Sequence, residues 1–303
     1  MIQPFLLFAK QVLNVAGFKI TELPAKTYQQ LLTAFEDMTK HDVVMIKPLL
    51  KLVKKLRGRL ILDDTTNPKY GLKRWARKMK IIGTSGFADG YKVLLFLWEC
   101  ELGRIPIGFA LWHKESKPLN ELVLIGLKLL RRRFKLKPKA VVADAAFCTD
   151  KLLKRLEGYG WACVMRFKGN RKLGNTGVSK LIARGYGSEN GYLKNGVKVK
   201  VFRRKNRFFV CNRMTWTMQE AVRVYTKRWK IEEVFRILKQ CLQLKGCQQH
   251  SMQAQTIYIT ICLMLFAGLE LHSGQSVYQT AQQVISGQLS LENLLQKTIF
   301  KTF

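Results

Sequence analysis

Short apolar runs and helical patterns alternate through the first half of the chain. Two continuous apolar runs predict short buried strands at residues 60–62 and 140–143, and a further strand is predicted around 161–167. Two runs rich in β-branched and aromatic residues, 91–98 and 105–112, flank a glycine turn and predict a hairpin. Strands that alternate with helices are typical of an α/β fold.

Apolar residues at helical spacing predict helices at 26–57, 119–134 and 150–156. From Thr217 onward the chain has only helical patterns, beginning with 217–243 and 253–272. The most apolar stretch, 257–269, is shorter than the ~20 residues that a bilayer requires. We therefore expect a buried helix there and no membrane partner.

The segment 168–212 differs from its surroundings because glycines are dense in it and the helical patterns stop. Two short strands, 197–202 and 207–210, end the segment, which predicts a β-rich insertion in the α/β domain. Gly169 and Gly174 have the spacing of a phosphate-binding loop, but Asn175 stands where that loop requires lysine. A P-loop is therefore excluded.

Charge sets the expected partner. The chain has 53 Lys and Arg against 20 Asp and Glu, a net charge of +33, while 48% hydrophobic residues suffice for a packed core. Such a charge favours a polyanion, and nucleic acid is the default. The alternative is a basic surface that only keeps the protein soluble.

Two clusters concentrate this charge, at 128–139, which includes Arg131, Arg132 and Arg133, and at 194–207. Both are predicted to contact the backbone of duplex DNA, with solvated faces as the alternative.

The cysteine pattern and the first residues bear on location. Seven cysteines at wide spacings, without a C-x2-C pair, fit reduced thiols in a cytosolic protein rather than a zinc site or a disulfide framework. The N-terminus lacks a basic segment and a small-residue cleavage site of the secretory type. A cytoplasmic location is the expectation.

Acids are scarce, so their positions are informative. Asp63 and Asp144 each follow a short buried strand, and strand ends in α/β sheets are where ligands and catalytic groups collect. For either aspartate taken alone, a turn residue or a helix cap is the better interpretation.

One predicted helix carries a polar stripe. Tyr225, Arg228, Glu232 and Lys239 fall within about 60° of one another on a helical wheel, beside the apolar face. An acid flanked by cations there can point into a cleft at the sheet edge. A surface Arg228–Glu232 salt-bridge ladder is the alternative. Glu233 falls on the far side and is expected in solvent.

These residues resemble a known signature. The segment YTKRWKIEEVFRILK is similar to the Y-R-E-K signature of bacterial insertion-sequence DDE transposases. LDDTT and VVADAAF resemble the segments that carry that family's first and second aspartates, in the right order. The resemblance covers roughly residues 58–245.

The resemblance implies a ribonuclease-H-like mixed sheet with flanking helices, the β-rich insertion and a helical C-terminus. We divide the chain into an N-terminal helical, DNA-binding region (1–57), the catalytic core (58–167), the insertion (168–212), and the rest of the core with C-terminal helices (213–303). The implied activity is cut-and-paste transposition of DNA. A homodimer would bridge two transposon ends and act on target DNA near the bacterial nucleoid.

Roles follow from the family pattern and from chemistry. Asp63, Asp144 and Glu232 would hold two Mg²⁺ ions, with Mn²⁺ as a substitute, because hard cations prefer carboxylate oxygens. DNA phosphates would be bound by three residues of the signature: Tyr225, Arg228 and Lys239.

Three choices stay open at this point. Trp216 either stacks on a base flipped out of the DNA or packs in the core. Asp64 is the alternative to Asp63 as the first ligand, although strand alternation places them on opposite faces. The competing functions are a domesticated, non-catalytic DNA-binding protein of the same fold and a nuclease without end specificity.

Overall fold

The computed structural model describes residues 2–13, 30, 33, 40–69, 75–80, 86–182, 185–247, 249, 251–272 and 276–298. The strands are β1 (Val44–Met45), β2 (Arg59–Pro68), β3 (Arg77–Lys80), β4 (Phe87–Cys100), β5 (Gly103–Trp112), β6 (Val141–Ala143), β7 (Cys163–Phe167), β8 (Lys172–Leu173), β9 (Thr176–Gly177), β10 (Gly185–Tyr192), β11 (Lys198–Lys205) and β12 (Arg207–Cys211). The helices are α1 (Ile2–Leu13), α2 (Lys47–Val53), α3 (Leu119–Arg132), α4 (Asp150–Gly158), α5 (Val178–Leu181), α6 (Met218–Tyr225), α7 (Trp229–Gln240), α8 (Met252–Leu271), α9 (Val277–Ile285) and α10 (Leu291–Thr298), and a 3-10 turn (Thr226–Arg228) joins α6 to α7.

One large mixed sheet forms the centre of the fold. Its strands lie in the order β1-β5-β4-β2-β6-β7-β12-β11-β10, and β3 pairs with the beginning of β4. The β2–β6 and β6–β7 pairs are parallel, whereas the other neighbours are antiparallel. This mixed α/β architecture with a helical C-terminus confirms the predicted fold class.

Helices cover both faces of the sheet, and the pairing register identifies each face. In the β2–β4 ladder, Asp63 lies opposite Leu95, and Leu62 lies opposite Phe96. Residues that face each other across a ladder share a face, and successive residues alternate between faces. The side chain of Asp63 meets Arg228 at the start of α7. The Phe96 ring lies against Gly126 of α3. The α7 face and the α3 face are therefore opposite faces of the sheet.

Helix α8 is the buried helix that the apolar stretch predicts. It is long and apolar enough to cross a bilayer, but 89% of its most apolar window is buried inside the protein. It packs on β5, α1, α7, α9 and α10, which explains why it has no polar face. It is thus a core helix of this fold.

The N-terminal prediction needs correction in part. In the helix predicted at 26–57, most residues up to position 39 lie outside the described part of the chain. Residues 47–53 form α2. Residues 44–45 are not helical, because they extend the sheet as β1, with Val44 paired to Phe109. Helix α1 packs on α8 in the main core.

The segment 168–212 contains the β8–β9 hairpin, α5 and three antiparallel strands. β11 and β12 coincide with the two strands expected there, and β12 pairs with β7. The insertion therefore continues the central sheet. Its β11–β12 turn lines the same cleft as residues of α6 and α7. All seven cysteines are free.

Candidate active site

Parallel pairing of β2 with β6 places two aspartates side by side. The last paired residues are Leu62 and Ala143, so Asp63 and Asp144 both follow directly after the ladder. The prediction that Asp63 ends its strand is wrong, because β2 continues along β4 as far as Pro68. Only β6 ends at this level, at Ala143. The Asp144 carboxylate that follows it is close enough to Asp63 to affect the pKa of that carboxyl.

Strand alternation separates Asp63 from its neighbour Asp64. The Asp64 carboxylate pairs with Lys92 Nζ at 2.7 Å on the α3 face. Asp63 points to the α7 face, and its Oδ1 accepts a hydrogen bond from the Asp64 backbone N–H at 2.9 Å. The geometry therefore favours Asp63 over Asp64 as the residue directed toward the site.

The signature helix is not continuous. The single helix predicted at 217–243 consists of α6, the 3-10 turn 226–228 and α7. Thr217 begins α6 with a capping box that involves Glu220. The 3-10 turn has fewer residues per turn than an α-helix, so it rotates α7 about its axis relative to α6. The helical-wheel angles calculated at 100° per residue for 217–243 are therefore not valid across this turn.

Arg228, the last residue of this turn, joins two of the predicted catalytic acids. Its Nη1 donates to Asp63 Oδ2 at 2.8 Å, and its Nη2 donates to Glu232 Oε1. The side chains of Arg228 and Asp63 are each 17% exposed, and that of Glu232 is 31% exposed. Arg228 thus connects an acid of the sheet to an acid of α7. The alternative, a salt-bridge ladder on a solvated helix face, would not include a residue of the sheet.

Tyr225 connects the same region to the other aspartate. Its hydroxyl donates to Asp144 Oδ1 at 3.4 Å. Its ring packs edge-on against Phe209 of β12, with centroids 4.9 Å apart. The insertion therefore supports a residue of the signature, and Tyr225 and Arg228 together link all three acids.

Burial makes Asp63 electrostatically unusual. Desolvation raises the pKa of its carboxyl from 3.8 to about 6, although Arg228 and the Asp64 N–H favour the charged form. The negative charges of Asp64 and Asp144 also contribute to this raised pKa. Burial likewise raises the pKa of Tyr225 to about 12, so its hydroxyl keeps its proton at neutral pH.

The three acids suit a hard divalent cation in type. Carboxylate oxygens are what Mg²⁺ prefers, and two of these side chains converge on one guanidinium. In the described ranges, however, no three His, Cys, Asp or Glu side chains lie close enough together to form a ready metal site. The Arg228 guanidinium, a cation, lies between Asp63 and Glu232 instead. A metal ion would therefore have to displace it from one carboxylate.

Glu233 does not lie in solvent, contrary to the expectation. Its carboxylate accepts from Arg104 Nη1 at 2.9 Å, and Arg104 also pairs with Glu270 of α8 at 2.6 Å. Because the 3-10 turn rotates α7, Glu233 faces β5 and α8. This network fixes the helix that carries Glu232.

A cationic cleft of about 860 Å³ lies beside the carboxylates. The β11–β12 turn, α6, the 3-10 turn and β7 form its walls. Its lining residues include Arg166, Arg204, Lys205, Arg207, Phe209, Tyr225, Arg228 and Trp229. The cluster at 194–207 thus contributes three cations to it, and none of the lining residues is acidic.

Arg166 is a site residue that the sequence does not reveal. It follows Met165, which pairs with Ala143, so it lies next to the position of Asp144. Its Nε is buried and lacks a hydrogen-bond partner among the described residues. Its guanidinium lies 5.8 Å from the Phe209 ring centroid. No motif surrounds it, and only the strand register could have indicated it.

The remaining predicted DNA-binding residues lie elsewhere. Trp216 is partly buried and packs on the small cluster that includes Phe202 and Ala221, which supports core packing. Trp229, 53% exposed, lines the cleft instead. Lys239 is exposed at the end of α7, and Arg131, Arg132 and Arg133 end α3 on the opposite face.

Comparisons with known proteins identify the family to which the chain belongs. A search of curated protein sequences found no match. Among solved structures, the chain is similar to a piggyBac transposase in a synaptic complex with hairpin DNA, with 12% identity and a TM-score of 0.55. The alignment covers 91% of this chain and 61% of that one, so the present chain spans about three fifths of that protein's length. The family model described as "Transposase DDE domain" matches residues 59–266, more than half of the chain, and the protein therefore belongs to the DDE-domain transposases.

Proposed function

We propose that this protein binds the ends of a transposable element and catalyses Mg²⁺-dependent cleavage and strand transfer by a cut-and-paste route. The observation that carries the proposal is the convergence of Asp63 and Glu232 on Arg228, with Asp144 held by Tyr225. Asp63 comes from β2 and Asp144 directly follows β6, whereas Tyr225 ends α6, Arg228 ends the 3-10 turn and Glu232 lies in the first turn of α7.

Cleavage requires a hydroxyl that attacks phosphorus and a leaving oxygen that is stabilised. Asp63, Asp144 and Glu232 would hold two Mg²⁺ ions, with Mn²⁺ as a substitute, and these would supply both effects when bound. The carboxyl of Asp63, with a pKa of about 6, is mostly ionised at neutral pH and available as a ligand. We assign Arg228 a second role as a phosphate clamp, because its planar fork fits two phosphate oxygens as well as two carboxylates.

The cleft would hold the DNA strand next to the scissile bond. Arg166, Arg204 and Arg207 offer charge to the backbone, while Trp229 offers a face for stacking on a base. Trp229 replaces Trp216 in that role. Lys239, about 10 Å further along α7 than Glu232, is placed to bind a more distant phosphate.

We further propose that a homodimer bridges two ends and joins them to target duplex DNA, and that the protein works in the bacterial cytoplasm at the nucleoid. A domesticated DNA-binding protein is the alternative. The three acids and their link to Arg228 favour the enzyme.

The test compares two duplexes in Mg²⁺, one carrying the terminal repeats that flank the gene and one of unrelated sequence. We expect nicking at the repeat boundary, and no cleavage in EDTA. Equal cleavage of both duplexes would indicate a general nuclease. Binding to the repeats without cleavage in Mg²⁺ or Mn²⁺ would indicate the DNA-binding alternative.

A further inference from the structure

A second basic surface lies away from the cleft, on helices α3 and α4 and on the loop that follows α3. We call it the α3–α4 surface. It consists of ten cations, all exposed or partly exposed: Lys128, Arg131, Arg132, Arg133, Lys135, Lys137, Lys139, Lys151, Lys154 and Arg155. Exposed acids on these elements are few, namely Glu121 and Glu157, while Asp150 is paired with Arg171.

The charge of this surface is not neutralised by neighbouring acids. Among the described residues, none of the ten cations forms an ion pair with a carboxylate. Like charges at this density repel one another, so the surface is favourable only with an anion beside it. A groove of about 420 Å³ runs along α4, lined by Lys151, Lys154, Arg155 and Tyr159.

The side chains at one end of the groove are ordered by an aromatic ring. The guanidinium of Arg131 lies 5.9 Å from the Tyr159 ring centroid, and that of Arg155 lies 5.8 Å from it. Arg155 also donates to the Tyr159 hydroxyl at 3.4 Å. Two arginines from different helices are thus held at one place, which suits neighbouring phosphates.

The α3–α4 surface and the catalytic cleft are on opposite sides of the sheet. Asp63 faces α7, whereas Phe96 on the other face contacts α3, and α4 packs beside α3. Helix layers about 10 Å thick cover each face. A duplex would have to reverse its direction to touch both surfaces. Bending about 20–30 base pairs by only 40–90° already costs about 1–6 kcal/mol.

We propose that the α3–α4 surface binds a second DNA duplex, distinct from the one cleaved in the catalytic cleft of the same protomer. The occupant is duplex backbone, because the surface offers dispersed charge, and the Tyr159 ring in its groove is already in contact with two guanidiniums. This proposal rests on the proposed function, since joining one DNA to another requires that two duplexes be held at once.

The test measures co-sedimentation of two differently labelled duplexes with the full chain. A terminal-repeat duplex is first added to saturation, so that the clefts are filled, and an unrelated duplex is then titrated. We expect wild-type protein to bind both. The variant Lys151→Ala/Lys154→Ala/Arg155→Ala should keep the first duplex and bind the second at least about tenfold more weakly. The salt dependence of the second binding should become shallower by about 0.9 per lost phosphate contact.

A matched control removes three exposed lysines elsewhere, with the same change in net charge: Lys80→Ala/Lys114→Ala/Lys297→Ala. This variant should bind both duplexes as wild type does. Equal weakening of both duplexes by the α4 variant would mean that the surface holds a distal part of the same end. No weakening of either duplex would mean that it is solvated. Because the readout is binding, these outcomes are independent of whether wild-type protein cleaves DNA.

Discussion

Replacing Asp63 by asparagine should abolish Mg²⁺-dependent DNA cleavage and at the same time make the protein more stable at neutral pH. Burial raises the pKa of this carboxyl from 3.8 to about 6 even with Arg228 beside it. Between these pH values the folded state holds a proton that the unfolded state has lost, so stability falls as pH rises. At about 1.4 kcal/mol per pKa unit, the ionised side chain lowers the free energy of unfolding by about 2–3 kcal/mol above pH 6.

Asparagine at this position keeps the shape of the side chain and removes the charge. Urea unfolding at neutral pH should therefore give a higher free energy for Asp63→Asn than for wild type, and the difference should shrink toward zero near pH 4. Asp64→Asn is the matched control, because Asp64 is also mostly buried but pairs with Lys92 on the other face. If Asp63→Asn cleaved DNA normally, or if it were less stable than wild type at neutral pH, the assignment of Asp63 would be wrong.

The second large effect concerns Arg228. Arg228→Ala should lower the free energy of unfolding at neutral pH by about 2 kcal/mol and reduce cleavage by orders of magnitude. The guanidinium is the shared partner of Asp63 and Glu232, and removal of one partner leaves buried charges uncompensated. The loss of stability should narrow as the pH falls through about 6, because Asp63 then becomes neutral and no longer needs a cation.

Arg228→Lys separates charge from geometry. Lysine keeps the positive charge but cannot bond to both carboxylates in parallel, so stability should recover more than cleavage does. The measurements are unfolding at two pH values and cleavage of the terminal-repeat duplex. Full recovery of cleavage with lysine would show that Arg228 acts only as a counter-charge.

Local patterns in the sequence predict a large part of this site. The two apolar runs before Asp63 and Asp144 predict strands, and their parallel pairing places both acids side by side. Tyr225, Arg228 and Glu232, which the sequence groups on one polar stripe, do lie together beside the sheet, although the helical-wheel angles fail across the 3-10 turn. In each case the information lies within a few residues, where hydrophobic periodicity and strand alternation are reliable guides.

The parts that the sequence does not predict depend on distant partners. Nothing between 217 and 243 breaks a helix, because that stretch lacks glycine and proline, yet a 3-10 turn forms at 226–228. Glu233 is fixed by Arg104, 129 residues away, and not by its place on a helical wheel. Arg166 joins the site only through the register of β7 with β6. Local propensity contains none of these tertiary constraints.

Binding of Mn²⁺ tests the central claim, that Asp63, Asp144 and Glu232 form one metal site, most directly. Electron paramagnetic resonance would count the Mn²⁺ ions bound per protomer in the presence of the terminal-repeat duplex. We expect Asp63→Asn, Asp144→Asn and Glu232→Gln each to reduce this number sharply, while Asp64→Asn leaves it at the wild-type value. Loss of Mn²⁺ in Asp64→Asn together with full binding in Asp144→Asn would contradict the account.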